Sequence, residues 1–68
     1  MSRHFEVSYE GPKGERTYRK GSRENFGPEL GFQEPETLTE EGGYVVIRFD
    51  RGARVRIPAK RVIQILEG

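Results

Sequence analysis

Residues 44–66 read YVVIRFDRGARVRIPAKRVIQIL, and 13 of the chain's 22 apolar residues lie in this stretch. Tyr44 to Asp50 alternates, with Val45, Ile47 and Phe49 on one face and Tyr44, Val46, Arg48 and Asp50 on the other, the period of a half-buried strand. Ala53 to Ile57 alternates in the same way, setting Ala53, Val55 and Ile57 against Arg54 and Arg56. Directly paired residues of an antiparallel hairpin share a face. The two apolar sets therefore coincide only if Phe49 faces Ala53, Ile47 faces Val55 and Val45 faces Ile57. That register leaves Asp50-Arg51-Gly52 as a three-residue loop, the length that closes on a glycine with positive φ. A Val at position 52 would be strained there.

Beyond the hairpin, Pro58-Ala59-Lys60-Arg61 interrupts the strand, because proline has no N–H to donate and a fixed φ. Val62 to Leu66 restarts it. Its apolar residues fall on both faces, Ile63 and Ile65 on one and Val62 and Leu66 on the other, so burial on both sides, or the closing strand of a barrel, is expected.

Upstream, His4 to Glu10 alternates with Phe5, Val7 and Tyr9 on one face, and Gly11-Pro12-Lys13-Gly14 turns the chain. Glu15 to Lys20 is a second strand with Tyr18 as its one large core side chain, and its charges mark it as an edge. Residues 21–43 carry Pro28, Pro35 and five glycines and show no regular period, so they read as a long loop. Phe26, Leu30, Phe32 and Leu38 would pin this loop to the core, with a short helical turn over Pro35 to Glu41.

At 68 residues the chain has room for a single domain with one core. It has no cysteine, which excludes disulfides, thiolate metal sites and cysteine nucleophiles. His4 is its one histidine, too few for a zinc site of the His/Cys kind. Gly11-Pro12-Lys13-Gly14 lacks the spacing and the Ser/Thr of a phosphate loop. The glutamate pairs Glu34/Glu36 and Glu40/Glu41 lie in a polar stretch with nothing beside them to raise a pKa. No serine has a histidine partner by spacing, so the chain reads as non-enzymatic, with no cofactor and no metal. No apolar run reaches the roughly 18 residues of a membrane span, and the first residues lack a signal-peptide core. The expectation is a cytoplasmic protein with no membrane association.

The net charge of +1 hides a strong polarity along the chain. Residues 1–20 sum to +2, residues 21–43 to −5 and residues 44–66 to +5. Arg48, Arg54 and Arg56 share the outward face of the hairpin, Arg48 directly opposite Arg54, with Lys60 and Arg61 on the following turn. Tyr44 or Tyr18 would offer a ring to a base. Such a surface suits RNA or DNA. It equally suits a solvated face whose arginines pair with the glutamates of residues 21–43, or an acidic loop that acts as a displaceable lid.

The run IRFDRGARVRIPAKRVIQIL, at residues 47–66, with a hairpin before it and a proline-led turn ahead of a short last strand, resembles the closing half of an SH3-like or Sm-like small barrel. The resemblance implies an all-β domain spanning residues 1–68, a small five-stranded SH3-like antiparallel barrel with a long acidic loop between strands 2 and 3. Folds of that kind hold nucleic acids and peptides alike. Two functions follow as expectations. One is nucleic-acid binding through Arg48, Arg54, Arg56, Lys60, Arg61 and Tyr44. The other is docking on a protein partner through the edge strand Glu15 to Lys20 or through residues 21–43.

Overall fold

The computed structural model describes residues 4–68; Ser2 and Arg3 lie outside the described residues. The described residues are all-β, with eight strands: β1 (Phe5–Gly11), β2 (Gly14–Arg19), β3 (Glu24–Asn25), β4 (Phe32–Gln33), β5 (Pro35–Glu41), β6 (Tyr44–Phe49), β7 (Arg54–Pro58) and β8 (Val62–Glu67). A 3₁₀ turn, Ala59–Arg61, follows Pro58 and separates β7 from β8, in keeping with the missing proline N–H, which breaks the strand there. The strands form three antiparallel sheets, ordered β2-β1-β8, β3-β4 and β5-β6-β7, and no hydrogen-bonded ladder closes them into a barrel.

The β6–β7 register is the one that apolar parity demands. Val45 pairs with Ile57, Ile47 with Val55 and Arg48 with Arg54. Phe49 N–H donates to the Ala53 carbonyl at 2.8 Å and Gly52 N–H to the Phe49 carbonyl at 3.2 Å, closing the loop on Gly52 at φ +102°. The inward side chains of this hairpin meet those of the other large sheet. Phe5, Val7 and Tyr18 from β1 and β2 form one buried cluster with Val45, Ile47, Phe49 and Ile57. Phe49 is its hub: Tyr18 meets its ring edge-on at 5.7 Å and Phe26 does so at 4.8 Å. Tyr9 stacks on the outer side of Tyr18 at 5.7 Å. Burial pushes the Tyr18 phenol up from its ordinary value.

Residues 21–43 are not the expected loop. Pro35–Glu41 is a strand, not a helical turn, paired along its length with β6. Its signal was masked because its one inward aliphatic, Leu38, sits among threonines and glutamates. The decisive feature is Gly42-Gly43. Both residues have positive φ, +56° and +81°, and they join Glu41 to the directly opposite Tyr44. This is the two-residue hairpin loop whose twist matches that of the strands it connects. The acidic segment is thereby built into a sheet, which overturns its reading as a displaceable lid.

A second small hairpin, β3–β4, precedes it. Asn25 Oδ1 accepts from Gly27 N–H at 2.9 Å, and Phe26 N–H donates to the Gly31 carbonyl at 2.9 Å. Of the four apolar anchors expected in this region, Phe26 and Leu38 pack on the core. Leu30 and Phe32 do not, each remaining 55% exposed. The anchor that the sequence reading missed is Gln33, buried at 2% exposure. Its Nε2 donates to the Leu30 carbonyl at 3.2 Å and its Oε1 accepts from Ala53 N–H at 2.9 Å. One amide thus ties the β3–β4 hairpin to the β6–β7 loop. Glu34 and Asp50 reinforce the tie: Glu34 N–H donates to Asp50 Oδ1 and Asp50 N–H to the Glu34 carbonyl, both at 3.0 Å.

In β8 the expected burial of both faces does not occur. The pairing with β1 slips between Ser8 and Tyr9, so that Val7 faces Ile65 while Tyr9 faces Val62. The extra residue, Ile63, forms a bulge that brings Val62 and Ile65 together on the core and leaves Ile63 and Leu66 about half exposed, at 53% and 49%.

Replacing Gln33 with Leu keeps the volume but strands the Ala53 N–H. We expect a loss of about 1–3 kcal/mol, read as a lower urea midpoint at unchanged m-value. An unchanged midpoint would show that the amide does not hold the hairpins together.

Candidate functional site

The outward face of β5-β6-β7 is a grid of three rows set by the two registers. Glu41, Tyr44 and Pro58 form the first row, Thr39, Val46 and Arg56 the second, Thr37, Arg48 and Arg54 the third. Alternation within each strand places all nine side chains on the side away from the core. Arg48, Arg54, Arg56 and Tyr44 are brought together as the sequence pattern requires, and Arg48 does face Arg54.

The arginines are nevertheless not equivalent. Arg48 Nη1 lies 3.0 Å from Glu41 Oε2 and donates to Thr39 Oγ1 at 3.1 Å, while the Thr39 hydroxyl donates to Glu41 Oε2 at 2.7 Å. The hydrogen bond from Thr39, followed by that from Arg48, holds the Glu41 carboxyl below its ordinary value of 4.5. Its carboxylate answers the charge of Arg48, and the like-charged pair Arg48–Arg54 is relieved on one side from within the sheet.

Arg54 and Arg56 have no carboxylate within ion-pair distance among the described residues, and neither have Lys60 and Arg61. All four are exposed. The Arg56 guanidinium lies over the Tyr44 ring, 4.6 Å from its centroid, a cation–π contact that orients the arginine. Tyr44 is therefore the support of a stacked pair and not an open platform. Tyr18 is no platform at all, being 6% exposed inside the core.

Two shallow depressions flank Arg56. One, of about 240 Å³, is lined by Arg54, Arg56, Val46 and Glu41. The other, of about 160 Å³, lies on the far side, where Arg56 and Arg61 meet Tyr9, Pro12 and Pro58. Arg56 thus joins the strand face to the 3₁₀ turn that carries Lys60 and Arg61.

Val46 was missed as a site element. It occupies an outward position yet is only 2% exposed. An apolar residue between Tyr44 and Arg48 on the polar face was the one available signal. Thr39 and Glu41 were missed because the strand that presents them was not recognised. Among the described residues, no group of three or more His, Cys, Asp or Glu converges as metal ligands, and no helix is long and apolar enough to cross a membrane.

The lowered Glu41 pKa has a defined pH consequence. Its contribution to stability is complete above the unfolded carboxyl value and is lost as pH falls through the folded value. In an NMR titration, Arg48→Gln should move the Glu41 midpoint up toward its ordinary value, and stability should fall less steeply with acidification through this range because the folded and unfolded values converge. A midpoint that stays put would show that Arg48 does not engage Glu41. Comparison with protein-family models, with curated proteins and with solved structures returns no match, so the face is assigned on its own geometry.

Proposed function

We propose that this chain is a non-enzymatic small binding domain, acting in the cytoplasm, that holds single-stranded RNA or DNA on the outward face of β5-β6-β7. Arg54, Arg56, Lys60 and Arg61 take phosphates, and the stacked Arg56–Tyr44 pair takes a base. The observation that carries this reading is the set of four exposed cations, aligned along β7 and the 3₁₀ turn, with no carboxylate partner among the described residues. Guanidinium planes stack on unpaired bases, and an arginine already seated on an aromatic ring presents that plane with little entropy left to lose. Arg48, held by Glu41 and Thr39, helps to fix the face and contributes less to phosphate binding. The strand order, the proline-led 3₁₀ turn and the return of the last strand to β1 support an SH3-like small-barrel architecture for the scaffold.

A second reading has one observation in its favour. Leu30 and Phe32 are each 55% exposed on the β3–β4 hairpin, which would suit docking on a protein.

Anisotropy titrations of a labelled single-stranded oligonucleotide across a salt series separate the two. Affinity should fall log-linearly with salt, and Arg54→Ala with Arg56→Ala should lower the slope by about 1.4, the value for two lost phosphate contacts on a single strand. Phe32→Ala should leave binding unchanged. Absence of binding at low salt, or a slope indifferent to both arginines, would overturn the nucleic-acid reading.

A further inference from the structure

Among the described residues the large sheets end in four free edges, and three of them are guarded. β2 carries Glu15, Arg16 and Arg19; β5 carries Pro35, Glu36, Glu40 and Glu41; β7 carries Arg54, Arg56 and Pro58. Charges and prolines are the usual means of keeping a foreign strand off an edge. β8 has neither along Val62 to Leu66, and its first charge is Glu67. It also exposes Ile63 and Leu66.

The backbone parity of this edge is determined. His4 N–H donates to the Gly68 carbonyl at 2.8 Å and Gly68 N–H to the His4 carbonyl at 2.9 Å, so these residues form a hydrogen-bonded pair. In an antiparallel ladder such pairs alternate with non-bonded ones. Leu66 and Gln64, opposite Glu6 and Ser8, therefore spend their amides on β1. The N–H and C=O groups of Ile65 and Glu67 point the other way, to the free edge.

We propose that β8 pairs antiparallel with β8 of a second copy of this chain about a two-fold axis at Ile65. Ile65 then faces its own equivalent as a hydrogen-bonded pair, Glu67 faces Ile63 of the second copy, and Gln64 faces Leu66. The two sheets become one, ordered β2-β1-β8-β8-β1-β2, with the exposed Ile63 and Leu66 of each copy drawn into the seam. Charge selects this partner and this direction. The strand is preceded by Lys60 and Arg61 and closed by Glu67. Antiparallel self-pairing sets the acidic end of each copy beside the basic start of the other, twice by symmetry, whereas parallel pairing would oppose like charges. This inference does not depend on nucleic-acid binding.

Sedimentation velocity of the full chain over a concentration series, without nucleic acid, tests it. A concentration-dependent dimer is expected. Ile63→Lys, at an exposed position, should be monomeric with an unchanged circular-dichroism spectrum. Glu67→Lys alone, and Lys60→Glu with Arg61→Glu alone, should each dimerise several-fold more weakly than the parent. A mixture of those two variants should recover the affinity, because both cross-strand contacts become attractive again. A chain that stays monomeric at every attainable concentration would overturn the proposal. So would a dimer indifferent to Ile63→Lys, or a mixture no tighter than its components.

Discussion

Everything in this domain depends on the register of β6 against β7, and that register is held by a loop of three residues. Gly52, at φ +102°, lets the chain close on the Phe49–Ala53 bond. One residue more or fewer would invert the parity and turn Val45, Ile47 and Phe49 to solvent. With the register in place, Phe49 becomes the point at which both large sheets and the β3–β4 hairpin converge, receiving Tyr18 and Phe26 edge-on. A chain this short has no second core to fall back on. The same parity turns Arg54 and Arg56 outward, so core and basic face are two consequences of one constraint.

Much of this was legible in the residues. The pairing of Val45 with Ile57 and of Ile47 with Val55 follows from alternation, the positive φ of Gly52 from the loop length that this register leaves, and the break after Pro58 from the chemistry of proline. What escaped was structure whose stabilisation does not come from its own apolar side chains. β5 is a strand because β6 offers it a ladder and Gly42-Gly43 supplies the turn; with Leu38 as its one inward aliphatic, its period is nearly silent. Gln33 reads as an ordinary polar loop residue, and its burial makes sense only once the Leu30 carbonyl and the Ala53 N–H stand on either side of it. The β8 bulge has no sequence mark either. VIQIL is compatible with both faces, and it is the pairing with Tyr9 and Val7 that brings Val62 and Ile65 to the same side.

The site was half legible for the same reason. Co-location of Tyr44, Arg48, Arg54 and Arg56 is a matter of parity and follows from the pattern. Their inequality is not, because it depends on the unrecognised strand. β5 delivers Thr39 and Glu41 to Arg48 and leaves Arg54 and Arg56 without an ion-pair partner among the described residues. The acidic segment does not blanket the basic face. It neutralises one corner of it, and Tyr44 orients the arginine at the centre. A surface of exposed guanidinium groups, one of them seated on an aromatic ring, is matched to phosphates by charge and by hydrogen-bond geometry.

The most direct test of this division of the hairpin into core and proposed binding face is amide and side-chain chemical-shift mapping during titration with a short single-stranded oligonucleotide. Perturbations should concentrate on Tyr44, Arg54, Arg56, Lys60 and Arg61, with the inward residues Val45, Ile47 and Ile57 little affected. Perturbations confined to Leu30 and Phe32 or to β2, or none at all at low salt, would contradict it.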